Sequence, residues 1–449
     1  MPAAADSVSP ARLRVADALA PAAALFPELD PQTLDTADLA PRDAALALAV
    51  QRTVLQRWLT LEHLLNHFLK RELQSLEPAL QAVLLTGAAQ LLAFDRMPRH
   101  SVVDESVAIA RQLVRPGAHG LVNAVLRRLA DAIGPLQRDQ TWSPAPNAIP
   151  MDGGIRTLTA PLLPALGSDR ETDLAEHLAA ATSHPARLVR RWIDLHGRAA
   201  AIALCEHGSL TPPTLVAVED EFAFTPSELW RKHEQDGFIV WDGAHGDLVA
   251  FLEAHPARRV QDPAAAAVLA CTRGLPIRTA IDYCAGRGTK SRQLLTLHPQ
   301  ATVYATDTDE TRRRVLHESA QHRPRLEVVR PEMLQRDDVP PADLLLLDVP
   351  CSNTGVLARR PEARYRFRSQ SLQSLVQLQR DIAALTAPLM SGSGHLLYST
   401  CSVEPQENQD QARWIALALN LDIVHEQLIL PAGRDTTYHD GGYHVLLRK

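Results

Sequence analysis

The chain has 449 residues, enough for two or three domains, and its 46 % hydrophobic and 22 % charged residues are those of a folded, soluble protein. A net charge of −6 excludes a bulk-basic polyanion binder, so any basic surface has to be local. The five cysteines (Cys205, Cys271, Cys284, Cys351 and Cys401) are odd in number and contain no CxxC pair, which argues against a disulfide framework and a structural zinc site and suits a reducing compartment.

Residues 1–38 are rich in Ala and Pro and are expected to be poorly ordered. Arg12, Arg14 and Asp17 interrupt them, so no signal peptide is expected. From Asp43 the pattern turns helical: Val50, Val54, Leu55 and Trp58, then Leu61, Leu64, Leu65 and Phe68. "ALQAVLLTGAAQLLAF", "SVVDESVAIARQLV" and "HGLVNAVLRRLADAI" continue it, which predicts an all-α bundle over 39–135. Residues 136–154 read as a linker by composition. A small mixed connector is expected over 155–245, with helical "SHPARLVRRWIDLHGRAAAIALCEHG", the cations Arg187, Arg190 and Arg191, and a strand at "TPPTLVAV". Residues 246–449 alternate helical stretches with the apolar runs "RTAIDYCAG", "ATVYATD", "RLEVVR", "ADLLLLDVP" and "GHLLYST", which predicts an α/β domain with a mainly parallel sheet. No run approaches a membrane span, and the cytoplasm is the expected location.

In such a sheet ligands bind beyond the carboxyl ends of the strands, and four of these ends are chemically unusual. "DYCAGRGTK" stops a strand at Asp282 and turns through Gly286 and Gly288 into a helix near Lys290, where backbone N–H groups can approach a ligand. Asp307, in "VYATDTDE", can accept hydrogen bonds from two ribose hydroxyls, a role favoured by the glycine turn before it; the plainer alternative is a helix N-cap, since Asp307 and Asp309 both precede "ETRRRVLHESA". The full GxGxxG of a dinucleotide site is missing, and S-adenosylmethionine, which has no pyrophosphate, suits the shorter turn better.

"DVPCSNTG" and "YSTCSVEPQEN" each place a cysteine just past a strand, at Cys351 and Cys401. A lone buried cysteine is ordinarily a small hydrophobe, but two beside a cofactor turn suit covalent chemistry on a pyrimidine. A thiolate adding to carbon 6 makes carbon 5 nucleophilic toward an activated methyl group; the carbon-5 proton then leaves and the thiolate is expelled. A carboxyl such as Asp348 could serve N3 of a cytosine. Which thiol attacks is open at this level.

These motifs, with "CAGRGTK" and the C-terminal "HDGGYHVLLRK", resemble the Sun-type RNA (cytosine-5) methyltransferases. The N-terminal helices resemble the NusB-type domain fused to the bacterial branch that modifies 16S ribosomal RNA, and "SHPARLVRRW" and "TPPTLVAV" match its connector. The resemblance implies a multidomain chain: an all-α NusB-like bundle, a mixed connector and an α/β Rossmann-like S-adenosylmethionine-dependent methyltransferase domain. It implies Cys401 as the nucleophile at carbon 6, Cys351 in proton removal or product release, and Asp348 in contact with cofactor and base. Cys284, Ala285, Gly286, Arg287, Gly288, Thr289 and Lys290 would line the amino-acid end of the cofactor, Asp307 its ribose, and Glu332 would lie near its adenine. RNA is the implied partner, with no membrane and no obligate protein partner. The family's loop usually reads Ala-Pro-Gly-Gly where this chain has Gly286–Thr289, and usually has Gly at Asn353 and Arg at Ala217. Transfer RNA as substrate, or an RNA-binding assembly protein with little activity, are the alternatives.

Arg359, Arg360, Arg364, Arg366 and Arg368, interleaved with Tyr365 and Phe367, follow the Cys351 loop. They are expected to grip RNA phosphates and stack bases, against a plain solvated loop paired with Glu362.

Overall fold

The computed structural model describes residues 8–30, 33–167, 171–218, 227–334 and 339–449. The chain divides into two compact units, 1–211 with 357–366, and 212–356 with 367–449.

The first unit is built on α1 (Pro10–Leu25), α2 (Pro41–Asn66), α3 (Pro78–Ala93), α4 (Arg99–Leu113) and α5 (Ala118–Ala132). Proline in the first turn starts each of the first three, where its missing N–H is no loss. α3 is apolar and buried on nearly every side, as expected of the central helix of a bundle. After α5 come β1 (Ile133–Arg138), β2 (Ala148–Met151) and β3 (Gly154–Leu158), then α6 (Glu171–Thr182) and α7 (Ala186–Gly208).

Three expectations are corrected here. The N-terminal segment is not poorly ordered over its described part: α1 buries Ala11, Val15, Ala16, Leu19 and Ala22, and Arg12 binds Gln90 and Glu105. Alanine supplies both high helix propensity and a smooth packing face. Residues 1–7 and 31–32 of that segment lie outside the described residues. The expected linker is an antiparallel sheet of order β1-β3-β2, turned at Asp152-Gly153, a dipeptide suited to two-residue hairpins. Buried Arg156 ties β3 to α3 and the turn after it through Leu92 O (2.9 Å) and Asp95 Oδ1 (2.6 Å). The expected connector is no separate body, because 155–211 belong to the first unit and the second begins at Pro212. The cause is buried polar bonding: Gln56 of α2 donates to Leu210 O (2.8 Å), Arg57 to Ser209 O (3.0 Å), and Ser183 accepts from Leu59 N–H (2.8 Å).

The second unit carries a four-stranded antiparallel sheet, β4 (Thr214–Ala217), β5 (Trp230–Lys232), β6 (Phe238–Trp241) and β7 (Arg259–Val260), in order β5-β6-β4-β7. Its larger sheet comprises β8 (Thr279–Asp282), β9 (Thr302–Ala305), β10 (Leu326–Val328), β11 (Ala342–Asp348), β12 (Met390–Thr400), β13 (Asp422–Ile429) and β14 (Gly442–Arg448). The order is β10-β9-β8-β11-β12-β14-β13; the pairs from β10 to β12 are parallel and β14 is antiparallel to both neighbours. Leu344, Leu345, Leu346 and Leu347 of the central β11 are fully buried, as a strand covered on both faces requires. Parallel strands put their carboxyl ends on one edge, so Asp282, Asp348 and Thr400 finish side by side. No helix of the described residues is long and apolar enough to cross a membrane.

Candidate active site

The glycine turn after β8 uses left-handed backbone at Gly286 (φ 57°) and Gly288 (φ 83°), which disfavours L side chains at both positions. A Cβ at Gly286 would meet nothing within 4 Å, so the backbone there is open to a ligand. Arg287 between them is exposed, and Thr289 begins the helix Thr289–Leu297. Asp307 is buried; its Oδ2 accepts from Gly286 N–H (3.0 Å) and its Oδ1 from Asp309 N–H (2.9 Å). The helix N-cap is Asp309, whose Oδ1 accepts from Arg312 N–H (2.9 Å). Asp307 thus binds the glycine turn to the end of β9, and the capping role falls to its neighbour.

Beneath the turn Asp282 is fully buried. Ser291 Oγ donates to its Oδ2 (2.6 Å), while Oδ1 has no partner among the described residues. Burial, with the negative charges of Asp348 and Asp307, pushes its carboxyl up to about 7. Lys290 Nζ donates to Asp348 Oδ2 at 2.7 Å, and Ser399 Oγ to Asp348 Oδ1 at 2.8 Å. Burial works against the Lys290 charge, but the charge and hydrogen bond of Asp348 outweigh it and raise the pKa.

The two expected thiols meet: Cys351 Sγ and Cys401 Sγ are 3.1 Å apart. Cys401 Sγ also donates to Asn353 Oδ1 at 3.0 Å, and Asn353 Nδ2 donates to Cys351 O at 3.0 Å. Asn353 has φ 60°, a conformation that Gly meets freely and Asn tolerates better than most residues. The hydrogen bond to Cys401, burial and the nearby Cys401 and Glu407 charges push the Cys351 thiol well above its ordinary range, so it stays protonated. Cys284 is likewise pushed up, by burial first and then by Asp282, which leaves it without nucleophilic character.

A buried network holds the two cysteine loops together. Glu407, fully buried, accepts from Ser352 N–H (2.9 Å), Ser352 Oγ (2.5 Å) and Gln379 Nε2 (3.0 Å). Ser402 Oγ lies 3.1 Å from both Ser352 Oγ and Thr354 Oγ1. Gly355 donates to Cys401 O (2.9 Å), and a Cβ there would strike Gly441 O at 2.6 Å. Glu407, Gln379 and Ser399 were not singled out from the sequence. Glu407 stands six residues after Cys401 inside a quoted motif, but nothing local marks it as buried.

Glu332 lies exposed on the short helix Pro331–Leu334 that follows β10, bound to none of these groups. The arginine loop divides. Arg364 is fully buried in the first unit, donating to Gly208 O (2.5 Å), Leu357 O (2.8 Å), Thr182 O (3.3 Å) and Gln56 O (3.4 Å). Tyr365 OH, also buried, donates to Leu55 O at 2.7 Å. Phe367 is buried too. The expectation that Arg364 binds phosphate and that Tyr365 and Phe367 stack on bases is therefore overturned. Within one short loop, a solvated Arg360 is followed closely by a side chain that carbonyl oxygens hold in a core.

A model of the family described as 16S rRNA methyltransferase RsmB/F matches residues 275–432, and a NusB family model matches residues 9–131. The ribosomal RNA small subunit methyltransferase B of Vibrio cholerae is 30 % identical over 381 residues, 83 % of this chain and 81 % of that protein. The chain belongs to the RsmB/F methyltransferase family, with a NusB domain in front. The protein of the same name from Xanthomonas campestris is 29 % identical over 385 residues, 83 % of this chain and 79 % of that one. The crystal structure of PH0851 shares the fold, with a TM-score of 0.66 at 18 % identity over 99 % of both chains. The NusB match begins at residue 9, so α1 is part of that domain.

Proposed function

We propose that this protein transfers a methyl group from S-adenosylmethionine to carbon 5 of a cytosine in 16S ribosomal RNA, in the cytoplasm, through a covalent adduct on Cys401. The observation that carries the reading is the pair of thiols 3.1 Å apart at one sheet edge, beside the Lys290–Asp348 pair. The names of the similar bacterial proteins support ribosomal RNA over transfer RNA.

The residues present fit the cofactor. It carries an ammonium and a sulfonium, and the carboxylates of Asp282, Asp307 and Asp348 influence one another electrostatically around the open glycine turn. The buried Asp282 Oδ1 has an unused acceptor for such a cation. The segment Cys284–Lys290 would hold the amino-acid end and Asp307, which keeps a free lone pair on each oxygen, the ribose; Glu332 would stand at the adenine. When bound, the cofactor supplies the electrophilic methyl group.

The chain's own residues do the rest. Cys401 adds as thiolate to carbon 6, and the electron pair displaced toward carbon 5 makes that carbon the nucleophile. After transfer the carbon-5 proton passes to solvent water as base, its bonding pair re-forms the carbon 5–carbon 6 double bond, and the carbon–sulfur bond breaks with its electron pair returning to Cys401. Cys351, kept as a thiol, is placed to donate a hydrogen bond to the departing sulfur, which favours release. Asp348, steadied by Lys290 and Ser399, would face the cytosine ring.

Tritium transfer from labelled S-adenosylmethionine, with bisulfite sequencing of the RNA product, tests the reaction. One cytosine of 16S ribosomal RNA that resists bisulfite conversion is expected; activity confined to transfer RNA, or none, sinks the reading.

A further inference from the structure

Away from the cysteines, the second unit has a cavity of about 260 Å³ lined by Arg258, Arg259, Arg292, His322, Arg323 and Arg325, with no carboxylate among its described lining residues. Arg292 and Leu295 belong to the helix Thr289–Leu297, His322–Arg325 precede β10, and Arg258–Arg259 enter β7, so three separate stretches deliver cations to one cleft. In a chain of net charge −6 this is a strong local reversal. Arg292 Nε is buried and has no hydrogen-bond partner among the described residues. Burial, and then the charges of Arg323 and Arg259, push the Arg292 guanidinium down to about 10. The fold gathers like charges and leaves a buried donor unused, an arrangement that an anion would relieve.

We infer that this cleft binds a phosphate group of the RNA backbone, at a point removed from the reacting base. The inference rests on the RNA methyltransferase reading. Guanidinium groups present paired N–H donors that match the two free oxygens of a phosphodiester. The cavity lies below the roughly 300–1,000 Å³ usual for small-molecule pockets, which suits a phosphate and its sugar rather than a second nucleotide cofactor. His322–Arg325 lead into the amino end of β10, the sheet edge opposite the carboxyl ends that carry the cysteines, so the cleft is set away from them although Arg292 stands only two residues after Lys290. A strand of RNA reaching from the cysteines along this domain would meet it a few nucleotides from the target. The cleft would then add affinity and register without touching the chemistry.

The test uses the full chain and a fragment of 16S ribosomal RNA. Affinity is measured by fluorescence anisotropy over a range of salt for the wild type, Arg292→Gln and the double variant Arg323→Gln/Arg325→Gln. For every phosphate that a variant no longer neutralises, the slope of log affinity against log salt should fall by about 0.7–0.9, with single-turnover methylation at saturating RNA unchanged. Arg325 is exposed, so the double variant keeps the test open if Arg292→Gln folds poorly. Unchanged slopes in both variants, with a wild type that methylates RNA, overturn the inference alone. A wild type that neither binds nor methylates RNA overturns the functional reading and this inference with it. A parallel arm measures thermal protection by inorganic phosphate at constant ionic strength. Protection of the wild type but not of Arg292→Gln, with unchanged RNA slopes, assigns the cleft to a free anion and rejects the RNA backbone.

Discussion

The residues from Asp348 to Val356 and the ten that follow, Leu357–Arg366, are contiguous in sequence and opposite in role. The first stretch stays in the second unit and carries Asp348, Cys351, Asn353 and Gly355, whose polar atoms serve the sheet edge. The second belongs to the first unit, where Arg364 and Tyr365 satisfy backbone carbonyls in a core. Both read as loop and both are rich in functional residue types. What separates them is where their side chains go: Asp348, Cys351 and Asn353 meet Lys290 and Cys401, whereas, among the bonds described above, Arg364 and Tyr365 meet only backbone oxygens that would otherwise be buried and unpaired.

The largest expected effect lies in the first stretch and its partner loop. Cys401→Ala should abolish methylation and form no covalent adduct with RNA. Cys351→Ala should still attack and methylate, but release slowly, so a protein–RNA adduct should survive denaturing electrophoresis. The adduct trapped instead in Cys401→Ala would reverse the two roles, and full turnover in both would reject covalent catalysis.

Next comes the second stretch. Arg364→Ala leaves several buried carbonyls without a donor and should destabilise the protein by about 3–5 kcal/mol in urea unfolding. Arg360→Ala should stay within about 0.5 kcal/mol, since that side chain is 54 % exposed and its carboxylate partner among the described residues, Glu362, is 3.9 Å away. Equal effects would erase the distinction between a core arginine and a solvated one.

A smaller effect tests what holds the cysteine loops. Burial raises the Glu407 carboxyl above its ordinary value of 4.5 despite its hydrogen bonds from Ser352 and Gln379. A carboxyl raised in the folded state binds its proton more tightly there than in the unfolded chain. Its contribution is therefore full below 4.5 and is lost as pH rises through the folded pKa. Glu407→Gln should flatten the fall in melting temperature with rising pH above 4.5. A wild-type curve that rises with pH in that range, and is left unchanged by the substitution, would mean that the carboxylate is not held back by burial.

The smallest is Asn353→Gly. At φ 60° glycine is at ease, so stability should change by no more than about 1 kcal/mol. Loss of the acceptor that orients the Cys401 thiol should slow formation of the RNA adduct. A large loss of stability with an unchanged rate of adduct formation would make Asn353 a purely structural residue.

Much of the second unit was legible from short-range pattern. The apolar runs ending at Asp282, Asp348 and Thr400 are strands, and Gly286 and Gly288 have the left-handed backbone that a tight turn demands. Composition misled where it was asked to stand for order. Alanine in α1 and Asp152-Gly153 in the β2–β3 turn belong to packed elements, because helix propensity and hairpin chemistry are positional and not compositional.

The sequence by itself determined the periodicities, the strand ends and the reactive residue types, because these depend on neighbours along the chain. Only the tertiary structure decided which groups meet. It set Cys351 against Cys401 across 50 positions, placed Glu407 beneath Ser352, and sent Arg364 into a core with Gln56 and Gly208. Burial and pairing are properties of long-range contact: a guanidinium or a thiol carries no local mark of the carbonyl or the sulfur it will face, and that partner decides whether it catalyses, binds or merely holds the fold together.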